Sequence, residues 1–186
     1  TASLTITPTS DFNGTIVISI RFITTVSQPI MAFRDAAGNN VNEIMGGVLA
    51  ANNTFLGRAS GQRNTTGAEN TFLGTLAGSA NMSGVMNTAI GSLAFQNNVS
   101  GIENVAIGRA ALFSNTTGSR NTAVGAFNSL TNTSGALNTS VGNYGLYSNT
   151  TGVGNTAIGL ESLLSNTTAN NNTARSEEHT SELQSL

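Results

Sequence analysis

Residues 87–103 read NTAIGSLAFQNNVSGIE, and residues 104–120 read NVAIGRAALFSNTTGSR. Laid one above the other they share Asn, Ala, Ile and Gly at positions one, three, four and five, Asn at position twelve and Gly at position fifteen. The same period of seventeen residues runs outward in both directions, from Asn53 through Asn70, Asn87, Asn104, Asn121, Asn138 and Asn155 to Asn172, without a slip in register. A short fixed period is the signature of a solenoid, in which a coil cannot bury its own apolar face and stacks on its neighbours. The predicted fold class is all-β: a parallel β-solenoid of the β-roll kind over residues 47–174, preceded by a small β segment over residues 1–46.

Comparing the repeats column by column assigns tasks. Column one is always Asn; column five is Gly in all seven full repeats (Gly57, Gly74, Gly91, Gly108, Gly125, Gly142, Gly159). Column twelve is always Asn, and column fifteen is Gly in six of seven, Ala169 being the exception. Column four is aliphatic throughout: Leu56, Leu73, Ile90, Ile107, Val124, Val141, Ile158. These columns predict a strand over columns two to four, with the column-four side chains as the coil core and Gly at column five turning the chain. Columns twelve to fifteen predict a second corner, where Asn bonds its own backbone and Gly is left-handed. Asn repeated at one place in successive coils also allows a ladder of side-chain amides.

Column three is mostly small (Ala89, Ala106, Ala123, Ser140, Ala157) and is expected outside, as a face on which chains pack. Columns seven to ten carry a looser apolar set, including Leu112, Phe113, Leu146, Tyr147, Leu163 and Leu164. Here a second strand is favoured over a helical turn, because one turn has a nucleation cost with almost no propagation to offset it. Phe113, Tyr144 and Tyr147 are expected to cover the coil core rather than to stack on a sugar.

Residues 1–46 lack the period. Ile16, Ile18, Ile20 and Phe22 alternate with Val17, Ser19 and Arg21, the two-residue period of a half-buried strand. Asn13-Gly14 predicts a hairpin between LTIT and TIVISIRF, Gly38-Asn39-Asn40 a second turn between IMAFRD and VNEI, and Gly46-Gly47 the boundary with the array. At the other end Arg175-Ser176 stands where Ile-Gly is due. Residues 175–186, RSEEHTSELQSL, resemble the translation of a sequencing adapter and are set aside as a disordered, artefactual tail. The chain is accordingly expected to be a piece of a longer protein.

That tail holds the only histidine, His179; cysteine and lysine are absent from the whole chain. Without the arginine and three glutamates of the tail, the formal charge of −2 becomes zero. A neutral chain offers no field for nucleic acid, and no run of about 18 apolar residues spans a membrane. No metal or cofactor site is expected. Calcium loops of the GGxGxD type are missing. A polysaccharide-cleaving site would need paired carboxylates, and the array offers only Glu69, Glu103 and Glu161, read as solvated loop residues. No catalytic residue is expected.

The NTAIG core at Asn87 and Asn155, and NVAIG at Asn104, resemble the head repeats of YadA-like trimeric autotransporter adhesins. The longer form NTAIGxxALxSNTTGxx is similar to the arrays of bacterial surface and phage tail-fibre proteins, some of which end in an intramolecular chaperone that assists trimer assembly. The resemblance covers residues 53–174 and implies a left-handed β-roll, a homotrimer, an extracellular place on a bacterial surface or virion, and a host-surface glycan or protein receptor. The usual family repeat is shorter, so the second half of each coil departs from it.

Two other functions are weighed against an adhesive or structural one. One is the polysaccharide-degrading tail spike above. The other is an ice-binding solenoid, for which column two supplies a ladder of Thr54, Thr71, Thr88, Thr122, Thr139 and Thr156 broken only by Val105. Column two shares the parity of column four and is expected to face inward, which counts against ice. The Asn-x-Ser/Thr sequons at Asn115 and Asn149 are read as turn chemistry rather than glycosylation acceptors.

Overall fold

In a computed structural model of the chain, the described residues are 2–6, 16–20, 29–34, 40–46 and 52–176, the first four stretches as backbone only. β1 (Ala2–Ile6) pairs antiparallel with β2 (Ile16–Ile20), and β3 (Pro29–Arg34) with β4 (Asn40–Gly46). The expected turns at Asn13-Gly14 and Gly38-Asn39, Gly47 at the expected boundary, and residues 177–186 with His179 lie outside the described residues.

From residue 52 the chain is a parallel β-solenoid. Its strands are β5 (Thr54–Leu56), β6 (Thr71–Leu73), β7 (Thr88–Ile90), β8 (Val105–Ile107), β9 (Thr122–Val124), β10 (Thr139–Val141), β11 (Thr156–Ile158) and β12 (Thr173–Arg175). Each residue pairs with the one seventeen further on, as Thr54 with Thr71 and Ala89 with Ala106. The sheet has ten strands in the order β12 to β3; β4 joins antiparallel to β5, with Ile44 opposite Leu56. Arg175, placed outside the array by its sequence, continues β12 opposite Ile158. At about 4.8 Å per strand, seven coils extend about 34 Å.

The side-chain parity of the strands is the reverse of the expectation. Column three is buried in every full coil, from Phe55 and Phe72 through Ala89, Ala106, Ala123 and Ser140 to Ala157, while columns two and four lie outside. Leu56, Leu73, Ile90, Ile107, Val124, Val141 and Ile158 are therefore not the coil core, and none of them is buried. The reason is space. A coil of seventeen residues is narrow, and its interior is already occupied by columns eight and nine, among them Ala94, Phe95, Ala111, Leu112 and Leu146, and by the two Asn columns. Only a small residue at column three fits beside a large one at column nine. Where column three is Phe, column nine is Gly61 or Gly78; Phe55 and Phe72 then stack, with ring centroids 5.0 Å apart.

Columns seven to ten are turns, and the expected second strand is absent there. Every residue of columns seven and nine has positive φ, for example Leu93 at 63°, Phe95 at 54° and Leu112 at 49°. Left-handed backbone at alternate residues cannot form an extended ladder, and for a residue with a side chain it costs roughly 1–2 kcal/mol. Hydrogen bonds to the adjacent coils offset that cost: Leu93 N donates to Thr75 O at 2.9 Å and Phe95 N to Ala111 O at 2.9 Å.

Candidate functional site

Two buried ladders of asparagine fix the distance between coils. In column one, Asn87 donates its backbone N–H and its Nδ2 to Asn70 Oδ1 at 2.9 and 3.1 Å, and Asn104 repeats the bonds on Asn87 at 3.0 and 3.1 Å. In column twelve, Asn98 Nδ2 donates to Asn81 Oδ1 at 2.6 Å and Asn115 Nδ2 to Asn98 Oδ1 at 3.0 Å. Both ladders bond the same column-fifteen carbonyl: Gly101 O accepts from Asn87 Nδ2 at 2.9 Å and from Asn98 Nδ2 at 3.2 Å. A buried polar side chain is tolerated where its donors and acceptors are met, and repetition meets them in every coil. The amide nitrogens of the sequon residues Asn115 and Asn149 are spent in this way inside the coil.

The glycine corners have two different causes. Column-five glycines hold φ between 108° and 137°, and a Cβ at Gly57 would lie 2.5 Å from the carbonyl oxygen of Gly74. Column-fifteen glycines were expected to be left-handed but do not have positive φ; the left-handed residue of that corner is column seventeen, as at Glu69, Met86 and Glu103. Glycine is needed at column fifteen for space: a Cβ at Gly84 would meet Gly101 O at 2.5 Å and Asn98 Nδ2 at 2.6 Å, and would overlap Asn81 Oδ1. Ala169, the one departure from Gly in this column, is exposed.

What the ladders hold in place is a regular outer face. Columns two and four of β5 to β11 alternate with the buried column three and so project together from one side of the sheet. Leu73 is 41 %, Val141 39 % and Ile158 46 % exposed, and beside them runs the threonine column. Neither column carries a charge from Thr54 to Ile158. Sequence reasoning placed this face inside; the exchange of large and small residues between columns three and nine is the signal that identifies the interior.

The charged groups of the array lie elsewhere. Glu103 is paired with Arg120, Nε to Oε2 2.9 Å, on an exposed corner. Among the described residues no three metal-binding side chains cluster, and no helix is long and apolar enough to cross a membrane. Of the aromatics expected to cover the coil core, Phe113 and Tyr147 are half-buried, while Tyr144 is exposed. A comparison with protein-family models, curated proteins and solved structures finds no match.

Proposed function

We propose that this chain is a non-catalytic structural and adhesive segment of a fibre or surface adhesin, working outside the cell as a homotrimer. The observation that carries the reading is the uncharged outer face of columns two and four, with Leu73, Val141 and Ile158 standing in water on a single chain. Contiguous exposed aliphatic surface of this kind is characteristic of an interaction face. A rod whose coils are bound by buried amide ladders suits load or display. The resemblance of NTAIG and NVAIG to YadA-like heads and tail-fibre arrays supports the same reading, and a glycan or protein on a host surface is the receptor it implies. Light scattering tests it: the expected mass is three times the 19.0 kDa of one chain, and Ile107→Glu lowers that mass. A monomeric parent chain would overturn the trimer.

The outward threonine column supports a second reading, ice binding. Inward-facing threonines would have counted against it, but Thr71 and Thr139 are exposed and Thr88, Thr122 and Thr156 partly so. A flat array of hydroxyl and methyl groups repeating at about 4.8 Å can order water. Thermal hysteresis in a freezing assay, lost in Thr122→Lys, would establish this reading; its absence in a monomeric preparation would remove it.

A further inference from the structure

Inside the coil, changes at columns three and nine compensate one another, whereas changes on the outer wall answer to no such volume constraint and can carry a site laid upon the scaffold. Column ten is polar in the first three coils, Gln62, Ser79 and Gln96, and apolar in the next four, Phe113, Leu130, Tyr147 and Leu164. Column seven changes in the same half of the rod. Ala59, Leu76, Leu93 and Ala110 give way there to Phe127 and Tyr144, and then to Glu161.

These residues are ordered along the rod. The guanidinium of Arg109 lies 5.1 Å from the ring centroid of Phe127, a cation–π contact. Phe127 stacks on Tyr144 at 5.5 Å and 14°, and Tyr147 lies 5.7 Å from Tyr144, tilted by 47°. The stack ends at Tyr144, because column seven of the following coil is Glu161 and brings no ring. Tyr144 is left 38 % exposed, with Leu160 beyond it 61 % exposed. The backbone is set as well: Tyr144 is left-handed at 57°, and its N–H donates to Ala126 O at 3.2 Å. A fixed aromatic ring with an uncovered side loses little freedom when a ligand packs on it.

We propose that Tyr144, Tyr147, Asn143 and Glu161 form a binding site for a neutral hexopyranose saccharide, a proposal that rests on the adhesive reading above and gives it a contact surface. The C–H face of a pyranose matches an exposed aromatic ring, and the tyrosine hydroxyls serve as its polar handle. Asn143 Oδ1 accepts from Ala126 N at 3.0 Å, which orients the amide and leaves its NH2 group to donate. Glu161 is exposed and accepts sugar hydroxyls. Charge decides the class of sugar. Arg109 is held on the Phe127 ring, Arg175 lines a pocket with Glu161 but with neither tyrosine, and the Glu161 carboxylate repels an acidic residue, so a neutral saccharide is favoured over an anionic one.

The chain supplies its own probe, because Tyr144 and Tyr147 are its only two tyrosines and it has no tryptophan. The test titrates the full chain separately with cellohexaose, maltohexaose and chitohexaose, following tyrosine emission, with sialyllactose as the anionic probe. At least one neutral oligosaccharide is expected to give a saturable change, weakened roughly tenfold or more by Tyr144→Ala, read through Tyr147. Glu161→Gln, whose side chain is exposed and outside the core, is expected to weaken binding without moving the melting temperature, which keeps the test open should Tyr144→Ala fold poorly. No response to any of the three neutral probes, equal response to sialyllactose, or unchanged affinity in both variants would overturn the site. Each of these outcomes leaves the trimer mass from light scattering untouched, so the loss of this site and the loss of the fibre reading are read separately.

Discussion

The ring of Phe72 occupies the space that a side chain at Gly78 would need: a Cβ built on Gly78 falls 2.5 Å from Cδ2 and 2.7 Å from Cζ of that ring. One coil further on the sizes are exchanged, with Ala89 at column three and a fully buried Phe95 at column nine. Ala106 and Leu112 repeat the exchange. Where both columns are small, as with Ala123 and Ser129, the buried Asn128 at column eight fills the coil and donates Nδ2 to Gly142 O at 2.5 Å. Each coil thus keeps its interior volume by trading between columns, as close-packed cores require.

Exchange of the two sizes in one coil should therefore be tolerated where each single change is not. Phe72→Ala is expected to cost about 3–5 kcal/mol through the cavity it leaves, and Gly78→Leu about 1–3 kcal/mol or more through overpacking. The double variant should recover most of both losses, since Leu112 and Leu146 already hold the same left-handed backbone at column nine. Chemical denaturation of the four proteins measures the coupling, and simple additivity would contradict the paired-volume account.

Within the column-twelve ladder, Asn98 donates to Asn81 Oδ1 and Gly101 O and accepts from Asn115 Nδ2 and Gly101 N. Asn98→Ala is expected to destabilise the array by about 2–5 kcal/mol, because several buried groups lose partners worth roughly 1–3 kcal/mol each. Asn98→Asp should cost more at neutral pH, since an acceptor-only carboxylate then faces the oxygens of Asn81 and Gly101. Thermal melts that rank Asp as milder than Ala would show that the amide nitrogen is not what the ladder needs.

At column fifteen the cause is crowding, so the effect depends on having a coil above. Gly84→Ala is expected to lower the melting temperature by several degrees, on the order of 1–3 kcal/mol, as its methyl meets the Asn81 side chain and the Gly101 carbonyl. Ala169→Gly should change stability by less than about 1 kcal/mol. Equal effects at the two positions would point to backbone conformation instead of space.

On the outer face, replacing an aliphatic should leave the fold of one chain intact and change only what it associates with. Ile107→Asn is expected to keep the circular dichroism spectrum and to shift stability by within about 1 kcal/mol in a dissociated chain, while reducing assembly by light scattering. A collapse of the spectrum in this variant would return column four to the core.

The array was legible in its sequence because the features that make it a solenoid recur as residue identity. A buried amide ladder accepts only Asn, and the crowded corners of columns five and fifteen favour Gly, so the period, the strands of columns two to four and the places of the two corners can be read from Asn53 to Asn172. The interior was not legible from one column at a time. A strand of three residues has one side chain on one face and two on the other, and its pattern admits either arrangement: Ile107 inside with Ala106 outside, or the reverse. Tertiary structure chose the second because Leu112, crossing from column nine, fills the coil and leaves room only for a methyl group. That same choice turned the threonines and aliphatics outward. It also left Tyr144 at the surface, where sequence reasoning had placed a cover for the core. Local chemistry determined where the chain turns, and the finite volume inside one coil decided which face it shows to the world.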